Sequence, residues 1–303
     1  MRWQMKWLID SVKGMLPFQA QLRRIKDRIV PYRSNPRFDE HTIKQGLRQV
    51  EWLSVVRPLR GAKVLEIGSG WQPMIPMLFS LAGASRVYLT DSNVLLRPAS
   101  FEAALSSLRV HRDLIMRTLN IDTQSLAHAL RVAPKLSMQD RLAEFGLIYL
   151  APCDCRRLDL PANSLDVITS TACLEHVPPD VIEDIFRESC RVLRPGGLAC
   201  HLIDPSDHWE HQDKRLTRVN FLKYSDRVFR WTYINSLHYQ NRLRHSEYLD
   251  MLQRTGFRLI REQQEVDERS LRALAHMTVA ARFRRFQPED LATVETFLLG
   301  AKR

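Results

Sequence analysis

The sequence lacks the features of membrane-spanning and secreted proteins. No apolar run approaches the roughly 18 residues that are needed to cross a bilayer. Lys6, Asp10 and Lys13 interrupt the N-terminal stretch, which therefore has no apolar segment typical of a signal peptide. The five cysteines form no CxxC pair and are interpreted as small buried residues. These absences lead us to expect a cytoplasmic protein in a reducing environment.

The charge of the chain is unevenly distributed. The 303 residues include 45 Lys and Arg against 34 Asp and Glu, which gives a net charge of +11. Residues 1–48 alone contain 11 basic and 4 acidic residues, and so carry +7 of this excess. Nucleic acid, an anionic membrane surface or an anionic substrate would each explain a basic chain. A local excess in an amphipathic segment favours a membrane or a partner over a nucleic-acid groove.

Residues 1–38 are predicted to form a basic helical extension. Apolar residues recur there at helical spacing, with Lys and Arg between them: Trp3, Trp7, Leu8, Val12, Met15, Leu16, Leu22, Ile25 and Ile29. Trp and Leu opposite basic residues are typical of a helix that lies on anionic lipid, which would make residues 1–30 a peripheral membrane contact. An amphipathic helix packed on the protein core explains the same pattern, and both interpretations stay open.

Short apolar strands alternate with helical segments over the rest of the chain. The stretch KVLEIGSG, residues 63–70, reads as a buried strand that ends in a glycine turn before a helix. Further strands are predicted at residues 86–90, 146–151, 165–170 and 198–204. This rhythm predicts an α/β protein with a doubly wound parallel sheet.

Two segments are too long to be simple connections between these elements. Residues 94–145 have a helical pattern and residues 205–245 have no clean period, and we expect both insertions to cap a substrate pocket. Residues 257–260 and 275–283 are predicted to be the last two strands, and a C-terminal helix is predicted to begin at Pro288.

Acidic residues stand at the predicted carboxyl ends of the strands. The sequence places one of them at each of four strand ends: Glu66, Asp91, Asp154 and Glu175. Asp91 lies 21 residues after Gly70, a spacing at which an acidic residue reaches a ribose in a βαβ unit. Because the carboxyl ends of parallel strands meet at one edge of a sheet, these residues predict a cofactor pocket at that edge.

Longer motifs at these positions resemble the class I S-adenosylmethionine-dependent methyltransferases. VLEIGSG, residues 64–70, is similar to the family's first motif. CDCRRLDLPANSLDVITS, residues 153–170, and RESCRVLRPGGLACHLID, residues 187–204, are similar to its adenine-side and late helix–glycine–strand motifs. The resemblance covers roughly residues 60–205. It implies a Rossmann-like seven-stranded sheet whose last strand is antiparallel, in a methyltransferase domain at residues 39–303, with S-adenosylmethionine as cofactor.

The resemblance also implies how the cofactor is bound. Two glycines let the backbone approach the cofactor closely, and Glu66 contributes negative charge beside them. Asp91 would accept the ribose hydroxyls, and Asp154 would accept the adenine amino group. The implied cofactor-binding residues are Glu66, Gly68, Ser69, Gly70, Asp91, Asp154, Cys155 and Thr171.

The glycine loop departs from the family pattern at one position. Gln72 stands where a third glycine is common, between Trp71 and Pro73. Pro73 also counts against a dinucleotide site, because the GxGxxG pattern of such sites requires a glycine there.

Polar residues after the fourth and fifth strands are candidates for acting on the methyl acceptor. His176 is a candidate general base, although a histidine that only holds its loop explains it equally. Asp207 and His208 are candidate catalytic residues, and a polar surface loop is the alternative. The wider set includes ligand types for a metal, which we do not expect here: Asp204, Asp207, His208, His211 and Asp213. Residues 241–245 offer either a basic contact for an anionic or sugar-like acceptor or a basic lead-in to a helix.

Together these observations predict an enzyme that transfers a methyl group from S-adenosylmethionine to an oxygen or nitrogen atom of a small molecule or glycan. RNA methylation is an alternative that the net charge suggests, although no RNA-binding module is evident. A second alternative is a non-catalytic scaffold that binds the methyl donor and is tethered by the N-terminal segment.

Overall fold

One mixed sheet of seven strands forms the centre of the molecule in the computed structural model, which describes residues 3–15, 35–131, 137–233 and 239–303. The strands are β1 Lys63–Ile67, β2 Arg86–Thr90, β3 Leu147–Leu150, β4 Leu165–Thr171, β5 Leu193–Ile203, β6 Phe257–Val266 and β7 Thr293–Lys302. Their order is β3-β2-β1-β4-β5-β7-β6. Strands β1 to β5 pair in parallel, and β7 runs antiparallel to both β5 and β6. The predicted doubly wound sheet with an antiparallel last strand is confirmed.

The central strand β1 shows why the sequence folds in this way. Val64 and Leu65 are both fully buried, and they belong to apolar clusters on opposite faces of the sheet. Since β1 also pairs with a strand on each side, it has no face toward solvent and needs an apolar run. Glu66 is the exception, because its carboxylate is buried inside this otherwise apolar strand.

Helices cover both faces of the sheet. Those of the described ranges are α1 Trp3–Met15, α2 Pro36–Val56, α3 Met74–Leu81, α4 Pro98–Val110, α5 Arg112–Leu119, α6 Thr123–Ala129, α7 Met138–Glu144, α8 Pro179–Val192, α9 Asp226–Thr232, α10 His245–Arg254, α11 Glu268–Leu274 and α12 Pro288–Leu291. α2, α3 and α4 contribute Leu53, Phe79 and Phe101 to the core on one face. α8 and α10 contribute Phe186 and Tyr248 to the core on the other.

The C-terminal strands differ from the prediction. Residues 275–283 form no strand, and the last strand is β7 instead. The predicted C-terminal helix at Pro288 is the single turn α12, because the chain enters β7 directly after it. β7 lies between two other strands and is buried along most of its length. Its Thr, Val, Phe and Leu residues have the composition of a central strand, which outweighs the helix-start signal of Pro288.

The chain between β2 and β3 forms the four helices α4 to α7, within the predicted insertion at residues 94–145. Phe101, Leu108 and Ile115 of these helices are fully buried and join the cluster that α2 covers. These helices therefore extend the main core on one side of the sheet.

A third apolar cluster joins the N-terminal helix α1 to the segment at residues 205–245. The buried ring of Trp3 has its centroid 5.8 Å from that of Trp209 and 4.7 Å from that of Tyr233. For α1, these contacts support the interpretation that the helix packs on the protein core. The remaining residues of the predicted basic extension before Asn35 lie outside the described residues. Every helix within the described ranges is too short or too polar to reach across a bilayer.

Candidate functional site

Two cavities lie at the carboxyl edge of the sheet, beside the loop that follows β1. The first has a volume of about 760 Å³ and the second of about 560 Å³. Gly68 and His176 line both of them, so the two cavities are adjacent. Residues that follow β1, β4 and β5 line the first cavity, and residues that follow β2 and β3 line the second. The cavities therefore occupy the edge where the strand-end residues predicted a pocket.

The glycine loop after β1 has a backbone that suits only glycine. Gly68 has a φ of +72°, and a Cβ at this position would lie 2.2 Å from Cys173 Sγ. The N–H groups of Gly68 and Ser69 both donate to the Thr90 carbonyl, at 2.9 Å each. Gly70 also has a positive φ, of +65°. The loop is thus held against the end of β2, with its backbone bordering both cavities.

Glu66 brings a buried carboxylate to the wall of the first cavity. Its side chain is 3% exposed, and its Oε2 atom has no hydrogen-bond partner among the described residues. Burial raises the pKa of Glu66 to about 7; the Ser69 hydroxyl opposes this rise and the charge of Asp91 adds to it. A lone buried carboxylate is costly, and a cationic ligand group would offset that cost. The ammonium of the S-adenosylmethionine tail is such a group, so Glu66 fits the predicted cofactor.

Asp91 lies at the end of β2 and lines the second cavity. Its Oδ2 accepts a hydrogen bond from Gly70 N at 3.2 Å, and its Oδ1 accepts one from Asn93 N at 2.9 Å. Asp91 thus ties the glycine loop to the second strand. Each carboxylate oxygen keeps a further lone pair, so the residue also has the capacity to accept hydroxyl groups from a ribose.

Asp154 and Cys155 line the same cavity beyond β3. Asp154 accepts three hydrogen bonds from the Arg156 guanidinium, at 2.7 to 3.1 Å, and these bonds are the main reason why the pKa of Asp154 is lowered. Cys155 is buried, and its thiol donates to Thr90 Oγ1 at 3.2 Å. Arg156 therefore keeps the carboxylate of Asp154 ionised and holds it in position. The sequence analysis did not predict this role of Arg156.

Thr171 ends β4 and lines the first cavity rather than the second. Gln49 of α2 donates to Thr171 Oγ1 and to the Ser170 carbonyl, at 2.9 Å each. Helix α2 is thereby fixed to the edge of the sheet, where Phe38 and His41 from its first turns also line this cavity.

A cluster of ionisable side chains lines the first cavity beyond the glycine loop. It consists of Glu175, His176, Asp204, His208 and His211. Burial, and to a lesser extent the charge of Asp204, raise the pKa of Glu175 to about 8 against the opposing effect of His208. Burial would also raise the pKa of Asp204, but His208 and Ser206 outweigh it and hold that pKa at about 2. Two neighbouring carboxyl groups thus have widely separated pKa values.

The histidines of this cluster are close together and oriented by neighbouring groups. His176 Nδ1 lies 2.9 Å from the Tyr239 carbonyl, and its ring centroid lies 5.0 Å from that of His208. His208 Nε2 lies 3.3 Å from Asp204 Oδ2, and its ring stacks on that of His211 at 5.3 Å. Burial opposes protonation of His208, but Asp204 outweighs burial and the pKa of His208 is raised.

The structure does not bring Asp207 into this cluster, and Asp207 is not among the residues that line either cavity. Its fully buried carboxylate accepts hydrogen bonds from Trp209 N at 2.9 Å and from the Tyr233 hydroxyl at 3.2 Å. The acid beside His208 is Asp204, which follows β5 directly. The four-residue spacing of Asp204 and His208 was the signal in the sequence, because residues four apart can meet across one turn.

Of the two interpretations of residues 241–245, the structure supports the basic lead-in to a helix, since Arg244 directly precedes α10. The Arg242 guanidinium donates to the carbonyls of Phe221 and Tyr224, and Arg244 donates to the Pro205 carbonyl at 2.7 Å. Both arginine side chains are buried, so they hold the segment at residues 205–245 in place.

The two predicted insertions contribute differently to the cavities. Among the described residues, the segment at 205–245 supplies His208, His211 and Arg218 to the lining of the first cavity, and the segment at 94–145 supplies none. Trp71 and Gln72, at the departure from the family pattern, also line the first cavity. Helices α4 to α7 instead pack on the core.

One protein-family model matches part of the chain. A family model described as a methyltransferase domain matches residues 107–201. The match supports the resemblance to methyltransferases, and so the prediction of an enzyme, over this part of the chain. No curated protein matches the sequence.

Several solved structures are similar to this chain. An S-adenosylmethionine-dependent methyltransferase from Mesorhizobium loti is 15% identical, covers 83% of this chain and 96% of its own, and has a TM-score of 0.45. A methyltransferase from Methanosarcina mazei is 14% identical, covers 80% of this chain and 93% of its own, and has a TM-score of 0.45. The magnesium protoporphyrin IX methyltransferase of Synechocystis with bound SAH is 13% identical, covers 98% of this chain and 99% of its own, and has a TM-score of 0.46. At these values the likenesses carry no argument about the acceptor.

Proposed function

We propose, from the premise that this chain carries an S-adenosylmethionine-dependent methyltransferase domain, that it methylates an oxygen or nitrogen atom of a small molecule or glycan bound in the first cavity. The observation that carries the proposal is the pair of adjacent cavities on either side of Gly68. The second cavity offers Asp91 and Asp154 to an adenosine, and the wall of the first cavity offers Glu66 to the amino-acid tail.

Methyl transfer mainly requires that the enzyme orient the donor and the acceptor. The cofactor supplies a methyl group on a sulfonium centre, and its transfer is an in-line displacement. Gly68 and Gly70 leave room for the donor beside the backbone, and the rest of the first cavity then lies next to it. His176 and His208, which line that part of the cavity, are the residues that we assign to contact the acceptor. Asp207 supports the turn that carries His208, through its hydrogen bond with Trp209 N.

The shape of the first cavity favours a small acceptor. Its volume of about 760 Å³ is within the range of sites that enclose drug-sized molecules. Residues from α2 and from the segment at 205–245 line it together with the glycine loop. A cavity of this size suits a small molecule or one or two sugar units better than an RNA strand, which would need a long basic groove.

Calorimetric titration with S-adenosylmethionine tests the donor site. Native protein is expected to bind it, and Asp91→Asn is expected to weaken binding about tenfold to a hundredfold, because a charge-assisted hydrogen bond is lost. Asp250→Asn, at an exposed position of α10, is the matched control and is expected to bind normally. Failure of the native protein to bind the donor would refute the proposal.

Transfer of labelled methyl groups to defined acceptors tests the reaction. Hydroxyl- and amine-bearing small molecules, short glycans and RNA are each incubated with protein and labelled donor. Labelled small molecule or glycan is the expected product. Labelled RNA instead would establish the alternative of RNA methylation, and donor binding without any product across these acceptors would favour the non-catalytic scaffold.

We also propose that α1 and α9 together contact an anionic membrane surface. Apolar side chains are exposed on α1 and α9, namely Met5, Ile9, Val228 and Trp231. Basic residues accompany them, including Lys6 and Arg230. In flotation with anionic vesicles, Trp231→Ala is expected to reduce recovery with the lipid, whereas Val55→Ala, at an exposed position of α2, is expected to leave it unchanged. Absence of flotation by the native protein would exclude the contact.

A further inference from the structure

We infer that Glu175, His176 and His208 form a binding site for one divalent transition-metal ion in the acceptor part of the first cavity. The inference rests on the proposed function and deepens it, since an ion there would select acceptors that present an oxygen atom. It also revises the expectation, drawn from the sequence, of a site without metal.

The three side chains converge from two neighbouring strands. Each offers one potential ligand atom, and these atoms lie within 4.8 Å of one another. Glu175 and His176 belong to the short 3-10 helix after β4, and His208 begins the one after β5. β4 and β5 pair in parallel, so the segments that follow them start at the same edge. Two imidazoles and one carboxylate are a donor set typical of Fe²⁺, Co²⁺ and Zn²⁺ sites.

The carboxylate of Glu175 supplies an independent reason for a cation. The side chain is 1% exposed, and neither of its carboxylate oxygens has a hydrogen-bond partner among the described residues. Such a group is expensive to bury, and most buried polar atoms in folded proteins have a partner. A bound cation would satisfy both oxygens at once. Glu175 lines the cavity, so an ion has access to it.

The surroundings of the two histidines are those of metal ligands. His176 Nδ1 lies 2.9 Å from the Tyr239 carbonyl, which accepts only from a protonated nitrogen and therefore leaves the lone pair of this imidazole on Nε2. His208 Nε2 lies 3.3 Å from Asp204 Oδ2, and Asp204 in turn accepts from Ser206 N at 2.9 Å. Imidazole ligands are commonly oriented by a carbonyl in the manner of His176. The contact of His208 with Asp204 is an ion-pair contact without hydrogen-bond geometry.

Three protein ligands would leave further coordination positions for the acceptor. Metal sites that bind substrate keep at least one such position open, whereas structural sites are closed by four protein ligands. The ligand atoms here face a cavity of about 760 Å³. An acceptor with a hydroxyl or another oxygen donor would fill the open position, and an ion beside that oxygen would favour loss of its proton.

Titration of metal-free full-length protein with Co²⁺ alone tests the site. Visible absorption of the bound ion reports the coordination, and calorimetry with Zn²⁺ reports stoichiometry. Native protein is expected to bind one equivalent. Glu175→Gln and His208→Ala are expected to weaken binding about a hundredfold, because each removes a ligand. His41→Ala, which changes a histidine of the same cavity outside the cluster, is expected to bind like the native protein.

Equal Co²⁺ affinity in the native protein and in Glu175→Gln and His208→Ala would overturn the inference, as would the absence of any bound Co²⁺. Circular dichroism of each variant checks that it is folded, and Glu175→Gln keeps the shape of the side chain. Donor binding is measured on the same samples. Protein that binds the donor but no metal contradicts the metal site alone, and protein that binds metal but no donor contradicts the proposed function.

Discussion

Replacing Glu66 with Gln is expected to stabilise the folded protein at neutral pH and to weaken its binding of the methyl donor. The carboxylate lies inside the central strand and has an oxygen without a hydrogen-bond partner among the described residues. An amide at this position has a similar shape and no charge. The substitution therefore removes the cost of a buried charge together with the group that attracts the donor's ammonium.

The magnitude follows from the pKa of Glu66, which burial raises from 4.5 to about 7. Between these two values the folded state keeps a proton that the unfolded state releases, so the free energy of unfolding falls as pH rises through this range. The shift corresponds to about 3 kcal/mol, at roughly 1.4 kcal/mol for each pKa unit. Burying an amide costs about 1 kcal/mol. Glu66→Gln should thus gain about 2 kcal/mol at pH 8 and lose about 1 kcal/mol below pH 4.5, where the carboxyl group is neutral in both states.

The assay is urea unfolding at pH 4.5 and pH 8, with Glu51→Gln as the control at an exposed position of α2. Donor affinity is measured by calorimetry in the same buffers. It should fall about tenfold to a hundredfold in Glu66→Gln at pH 8. In the native protein it should fall as the pH drops below about 7, since protonation of Glu66 removes its charge.

Two results would refute this reasoning. The first is a Glu66→Gln variant with the same dependence of unfolding on pH as the native protein, which would show that the buried carboxylate does not titrate near pH 7. The second is an unchanged donor affinity at pH 8, which would remove Glu66 from the cofactor site.

Three further substitutions test the loop and its supports. Gly68→Ala should destabilise the protein by about 2 kcal/mol in urea unfolding and abolish donor binding, because its Cβ would meet Cys173. Gly61 has a similar φ but open space around it, so the control Gly61→Ala should show only the cost of the backbone conformation. Asp207→Ala should cost about 2 kcal/mol in unfolding, through its lost hydrogen bonds, and leave donor affinity unchanged in calorimetry. Trp3→Ala should cost about 3 kcal/mol in unfolding, because it leaves a cavity beside Trp209.

The parallel half of the sheet was predictable because buried parallel strands are continuous apolar runs in the sequence. Val64 and Leu65 must both be apolar, since they point to opposite covered faces. The glycine turn after them marks where the strand ends, and this placed Asp91 and the other strand-end acids at one edge. β7 was harder to locate, because nothing local separates an apolar strand at residues 293–302 from a helix that begins at Pro288.

The partner of His208 and the role of the arginines depend on tertiary contacts that sequence spacing does not encode. Asp207 and Asp204 are both acidic neighbours of His208, but the Asp207 side chain caps the 3-10 helix and Asp204 is the one beside the His208 ring. Arg242 and Arg244 are basic residues near a predicted pocket, yet their guanidinium groups are directed to carbonyls of the surrounding segment. A basic run in a loop predicts solvent or ligand contact, and only the packing of residues 205–245 shows the opposite.

Glu66 and Glu175 are both poor choices for stability alone. Each is buried at the edge of the sheet, lines the first cavity and has at least one carboxylate oxygen without a partner among the described residues. Backbone donors are available nearby, since Asp91 accepts from two N–H groups of the adjacent loops. Local rules are typically broken in this way where a ligand completes the site. Two cations bound in the same cavity, the donor's ammonium and a metal ion, would account for both buried carboxylates.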